Sequence, residues 1–162
     1  MKKIISCILI AAMLLCAGLA SAATPAPSDE LFTHMSNAMN LLAAGAYDKM
    51  VSAIPFSDIA PSAEEWQSFA EGNFTTLANA EPQSKYIVLY WSGSVWKVAM
   101  PVQEPSSDDV ETLVLSSEDG KTFIGYGCGL WGDIRAEYES SLYVKWTEEY
   151  QNATYALIQF DD

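Results

Sequence analysis

The chain has 162 residues, with 8 Lys or Arg against 21 Asp or Glu and a formal net charge of −13. A surface this acidic repels phosphate backbones and anionic lipid headgroups, which bind through clustered basic residues, so nucleic acid is a poor partner. A cationic peptide, protein or metal ion is easier to accommodate, although acidity also serves solubility alone.

Lys2 and Lys3 precede an uncharged apolar run, Ile4 to Leu15, which is followed by Gly18 and the small-residue site Ala20-Ser21-Ala22. This is the order of regions in a secretory signal peptide, with cleavage after Ala22 or Ala23. A run of about 12 residues is too short for a spanning helix, which needs about 20. Residues 1–22 therefore read as a signal peptide, 23–28 as an extended spacer around Pro25 and Pro27, and 29–162 as one domain. The product is exported, to the periplasm or the medium, with no membrane attachment after cleavage. Lipidation at Cys16 is disfavoured, because the large Leu15 stands where a small residue is needed. Both signal lysines leave with that segment, so 6 basic residues remain against 21 acidic ones, a net charge of −15. Cys7 and Cys16 leave too, and Cys128 alone cannot form an intramolecular disulfide. It reads as a packed hydrophobe on a strand or, alternatively, as a point for joining a second chain.

Ser28 is a candidate N-cap, followed by Asp29 and Glu30 in a first turn and by Leu31, Met35, Ala38 and Leu42 at helical spacing. Gly45 ends that helix. Tyr47, Met50, Val51 and Ile54 give a second, short helix that stops at Pro55. Ser62-Ala63-Glu64-Glu65 is a capping box opening a third helix, with Trp66, Phe69 and Ala70 on its apolar face and Gly72-Asn73 at its end.

From Lys85 the period changes to two. Tyr86 to Trp91 is apolar throughout, the pattern of a strand covered on both faces. Val95 to Met100 follows after Ser92-Gly93-Ser94. Val110 to Leu115 and Thr122 to Cys128 flank Asp119-Gly120, a pair suited to the positive φ of a tight turn. Ile134, Ala136 and Tyr138 alternate with Arg135, Glu137 and Glu139, which predicts a half-buried strand. Leu142 to Thr147 and Thr154 to Phe160 are two further candidate strands. Short links imply antiparallel pairing. The fold class predicted is α+β: about three N-terminal helices packed on one face of a curved, largely antiparallel sheet of about six strands.

In outline the chain resembles the NTF2-like superfamily. The resemblance rests on a helical pair broken at Ala44-Gly45-Ala46-Tyr47, a third short helix, and a meander containing Ser94-Val95-Trp96-Lys97-Val98. It implies a cone-shaped pocket between sheet and helices, and no particular activity, since that superfamily holds enzymes, binders and adaptors alike.

Catalytic chemistry has little to work with. His34 is the only histidine, and no G-x-S-x-G turn supplies a nucleophile for it. Glu30 and His34 stand at i, i+4, but two ligands do not make a metal site. Acidic pairs suit glycosidic chemistry in principle (Glu64 and Glu65, Asp108 and Asp109, Glu137 and Glu139, Glu148 and Glu149). In so acidic a chain such pairs are also what solvated faces carry. The segment Ser106 to Glu111 lacks the spacing of a calcium loop. No catalytic residue, metal ligand or cofactor is assigned.

Gly125-Tyr126-Gly127-Cys128-Gly129 is the most unusual stretch. Period two puts Gly125, Gly127 and Gly129 on one face and Tyr126 and Cys128 on the other. A bare glycine face either lets a ligand approach the backbone or lets the strand bend under neighbouring aromatics. Gly129-Leu130-Trp131-Gly132-Asp133 reads as a loop, which would expose Trp131 to a partner. The predicted ligand-binding set is thus Gly125, Tyr126, Gly127, Gly129, Trp131, Arg135, which suits a ligand carboxylate, and Trp96 from the aromatic complement. The function this points to is non-catalytic binding of a small molecule or peptide. A small hydrolase-like enzyme and a partner-binding adaptor are the alternatives.

Overall fold

Leu31, Met35, Ala38, Met39 and Leu42 form one stripe of a helix, each at most 1% exposed, and burying that stripe organises the N-terminal half. The computed structural model describes residues 26–77 and 84–147. The candidate signal peptide at 1–22 and the candidate strand at 154–160 lie outside the described residues.

The helix carrying the stripe, α1, is Glu30–Ala43. Ser28 Oγ accepts the Glu30 amide at 3.2 Å, so Ser28 does the capping one residue ahead of the assigned cap, Asp29. At the other end Gly45 takes φ +63°, and the amides of Gly45 and Ala46 fold back to the carbonyls of Leu42 and Leu41. This reversal leads directly into α2, Tyr47–Ala53, which buries Met50. Helix α3, Ala63–Asn73, begins with the predicted capping box: Ser62 Oγ accepts the Glu65 amide at 3.2 Å, and Glu65 Oε2 accepts the Ser62 amide at 2.7 Å. Its buried face carries Trp66 and Ala70.

A 3-10 turn, Ser84–Tyr86, precedes the sheet. Five antiparallel strands follow among the described residues: β1 Val88–Trp91, β2 Trp96–Pro101, β3 Glu111–Ser117, β4 Gly125–Leu130 and β5 Val144–Trp146, in the order β4-β3-β2-β1-β5. The α+β class and the helices-then-sheet order are as predicted, with five strands among the described residues where about six were expected. Asp119-Gly120 does turn the chain between β3 and β4, with Gly120 at φ +70°. Asp119 Oδ1 accepts the amides of Lys121 and Thr122, each at 2.8 Å.

The register separates two faces. Leu89, Val98, Leu115 and Tyr126 lie in one row across β1, β2, β3 and β4. The next row places Val88 beside Ala99, Val114 and Gly127 on the opposite face. Tyr126 meets Trp66 of α3 with ring centroids 4.3 Å apart. Lys145, which pairs with Leu89, forms an ion pair with Asp29 at the start of α1. The first face is therefore the one the N-terminal helices cover.

The other face carries a fourth helix, α4, Trp131–Glu139, where the alternation at Ile134, Ala136 and Tyr138 predicted a strand. Ile134 and Tyr138 also satisfy helical spacing, with Trp131 on the same side. Packing selects that reading. Trp131 is 5% and Ile134 6% exposed, and Tyr138 meets Trp146 at 5.2 Å, while Ala136 points to solvent. Burying side chains of this size contributes about 1.5–3 kcal/mol each. Strand β1 is consequently covered on both faces, as its unbroken apolar run predicts, and Val88, Leu89 and Tyr90 are all fully buried.

Candidate functional site

The seven residues predicted to form one site are divided between the two faces. Tyr126 and Trp96 lie on the helix side. Tyr126 packs against Trp66, Phe69 and Phe56, and Trp96, 2% exposed, against Trp91 and Tyr143. Gly125, Gly127 and Gly129 line the opposite face with α4. Trp131 is the first residue of α4 and is buried, which corrects its assignment to an exposed loop. The cause is direct continuity: Leu130 closes β4 and serves as the N-cap of α4, leaving no loop between them. Arg135 is bound to Asp108 at 2.6 Å, an acid of this chain rather than a ligand carboxylate.

The glycine face is bare in part. A side chain at Gly125 or Gly127 would meet nothing within 4 Å, whereas one at Gly129 would come within 3.2 Å of Ile134 Cδ1. Beside this strip, Glu137 of α4 reaches the sheet. Its Oε2 accepts the Tyr90 hydroxyl at 2.9 Å and its Oε1 accepts Lys97 Nζ at 2.6 Å. Burial, reinforced by the hydrogen bond to Glu137 and that carboxylate's charge, pushes the Tyr90 phenol far above its ordinary range. It is thus held as a hydrogen-bond donor. The trio is a latch fixing α4 to the sheet, not a free acid-base pair.

Other carboxylates are similarly engaged. Glu65 closes the capping box, and Asp108 holds Arg135. Glu111 accepts the amides and hydroxyls of Thr75 and Thr76 at 2.6–3.2 Å, tying the segment after α3 to β3. Burial raises the Glu111 carboxyl, but those hydrogen bonds outweigh it, with the Thr75 side chain first, and hold it below the usual carboxylate range. His34 lies edge-on to Phe123 with centroids 6.3 Å apart, and its buried Nδ1 has no hydrogen-bond partner among the described residues. No group of three or more His, Cys, Asp or Glu is placed to hold a metal among the described residues.

A concavity lies elsewhere, at the C-terminal ends of α1 and α3. It is an open cleft of about 460 Å³. Leu42, Ala43, Ala44 and Gly45 from the end of α1, Tyr47 from α2, and Ala70, Glu71, Phe74, Thr75 and Leu77 from and after α3 form its walls. The α1–α2 reversal at Gly45 opens it on one side. On the other, the Glu111 anchor on Thr75 and Thr76 fixes the segment that leaves α3. The sequence marks each of these separately, as a helix stop, a helix end and an isolated acid on a strand. Only the fold brings them together. No protein-family profile, curated protein or solved structure matches this chain.

Proposed function

We propose that this chain is an exported, non-catalytic binding domain whose ligand site is the cleft between the C-terminal ends of α1 and α3. The observation that carries this is the cleft itself. Its volume of about 460 Å³ lies within the range of small-molecule sites, and apolar walls from Leu42, Phe74 and Leu77 surround a few polar groups on Tyr47, Glu71 and Thr75. One carboxylate of each of the pairs at 64/65, 108/109 and 137/139 is bound to a partner of this chain's own, which favours binding over catalysis, and the pair at 148/149 lies outside the described residues. Such a role is also one that the NTF2-like resemblance admits.

The test is to fill the cleft. Ala43 lines it and is partly exposed, so Ala43→Trp places an indole in the cavity without disturbing the buried stripe of α1. Native mass spectrometry of wild-type protein from its own host is expected to show a bound small molecule, which the variant loses while keeping its circular dichroism. The same ligand retained by Ala43→Trp would refute the assignment of the site.

A second reading, a partner-binding adaptor, is favoured by a different observation. Among the described residues strand β4 is an edge of the sheet, carries no charged residue, and has open space over Gly125 and Gly127. Loss of a protein partner on Gly127→Lys, with ligand binding in the cleft absent, would move the assignment there.

A further inference from the structure

The chemistry of the cleft walls also defines which ligand it takes. Helices α1 and α3, 14 and 11 residues long, both terminate at it, and their C-cap residues Ala44 and Phe74 are part of its lining. A helix C-terminus carries roughly half a negative charge on its terminal carbonyls. Proteins commonly balance that charge with Lys, Arg or His in the last turn, and neither helix has one there. Glu71 adds a carboxylate to the wall, oriented by Gln67 Nε2 at 2.8 Å. Among the described residues, no Lys, Arg or His contributes to the lining. The cavity thus joins two negative helix ends and one acid to the apolar surfaces of Leu42, Phe74 and Leu77 and the ring of Tyr47.

We infer that the ligand is a small organic cation, an ammonium group on an apolar body. This rests on the proposed reading of the cleft as a ligand site. The charge belongs near Glu71 and the helix ends, and the apolar body against Phe74 and Leu77. A carboxylate or phosphate ligand would meet Glu71 and two negative helix ends, opposed only by the N-terminus of the seven-residue α2 at Tyr47. Because the cleft is open, its electrostatic preference is subject to salt screening, over a distance of about 8 Å at physiological ionic strength.

The experiment uses the full exported protein and three probes of one shape: 4-phenylbutylammonium, 4-phenylbutanol and 4-phenylbutanoate, titrated by calorimetry at low and physiological salt. The ammonium is expected to bind about tenfold tighter than the alcohol, the summed effect of two helix ends and a carboxylate, and the carboxylate weakest. Glu71→Gln is expected to weaken the ammonium about threefold and leave the alcohol unchanged. Glu118→Gln, which removes the same charge from the exposed β3–β4 turn, should change neither. Equal binding of ammonium and carboxylate, or equal effects of the two Glu variants, would overturn the cation assignment while leaving the site intact. Tighter binding of a capped lysine than of phenylbutylammonium would overturn the small-molecule assignment. Binding of all three probes that survives Ala43→Trp would show that the cleft is not the site, and no binding of any probe into the millimolar range would overturn both readings.

Discussion

Glu111→Gln probes the contact that shapes one wall of the cleft. The wild-type carboxylate accepts from two amides and two hydroxyls at 2.6–3.2 Å. Glutamine keeps one oxygen and replaces the other with an NH₂. The Thr hydroxyls can rotate to accept from that group, but a backbone amide cannot, so one donor is left facing another donor. Hydrogen bonds to a charged acceptor contribute about 1.5–3 kcal/mol each when buried and much less where solvent competes, and this residue is partly exposed. The expected cost is about 1–2 kcal/mol, and for a domain of this size each kcal/mol lowers Tm by about 3–6 °C. The pH dependence has a definite sign. The folded carboxyl lies below its ordinary value of 4.5, so its stabilisation is fully present above that pH and is lost as pH falls through the lower folded value. Thermal melts of wild type and variant from pH 7 to pH 3 should therefore differ by a constant amount down to about pH 5 and converge below it. Taking the difference between the two proteins cancels the other titrating acids, including Asp119, which hydrogen bonds from the Thr122 amide first of all hold at about 2. A Tm difference as large at pH 3 as at pH 7, or none at either, would refute the reasoning.

Two further outcomes follow from the sheet. Gly127→Val enters open space on a strand, where a β-branched residue is favoured, and is expected to be neutral or stabilising by up to about 1 kcal/mol in urea denaturation. Gly129→Val would push against Ile134 and is expected to cost about 1–3 kcal/mol. Equal destabilisation by both would contradict the open glycine face. Cys128 is half-buried on the helix side, and burial first of all raises its thiol above the ordinary value of 9.0. Maleimide labelling at pH 7 should be slow and should accelerate on unfolding, whereas rapid labelling or a Cys128-linked dimer on a non-reducing gel would contradict the packing.

Much of the fold was written locally, and those parts were legible. The Ser62–Glu65 capping box, the stop at Gly45 and the turn at Asp119-Gly120 depend on residues at most a few positions apart, so their chemistry is contained in the sequence. The two faces of β4 were likewise determined by period two alone. The segment from Trp131 to Glu139 was not determined, because Ile134 and Tyr138 fit period two with Ala136 and helical spacing with Trp131. What decided it was Trp146, beyond the segment on β5, whose ring is packed by both Trp131 and Tyr138 in the helical form. Nor does any local rule state which face of a sheet the helices will cover. Burial of Tyr126 against Trp66 placed them opposite the glycines and so divided the predicted site. The cleft arises from the meeting of two helix ends held by Glu111, a residue 36 positions from Thr75, and a contact at that separation exists only once the chain has folded.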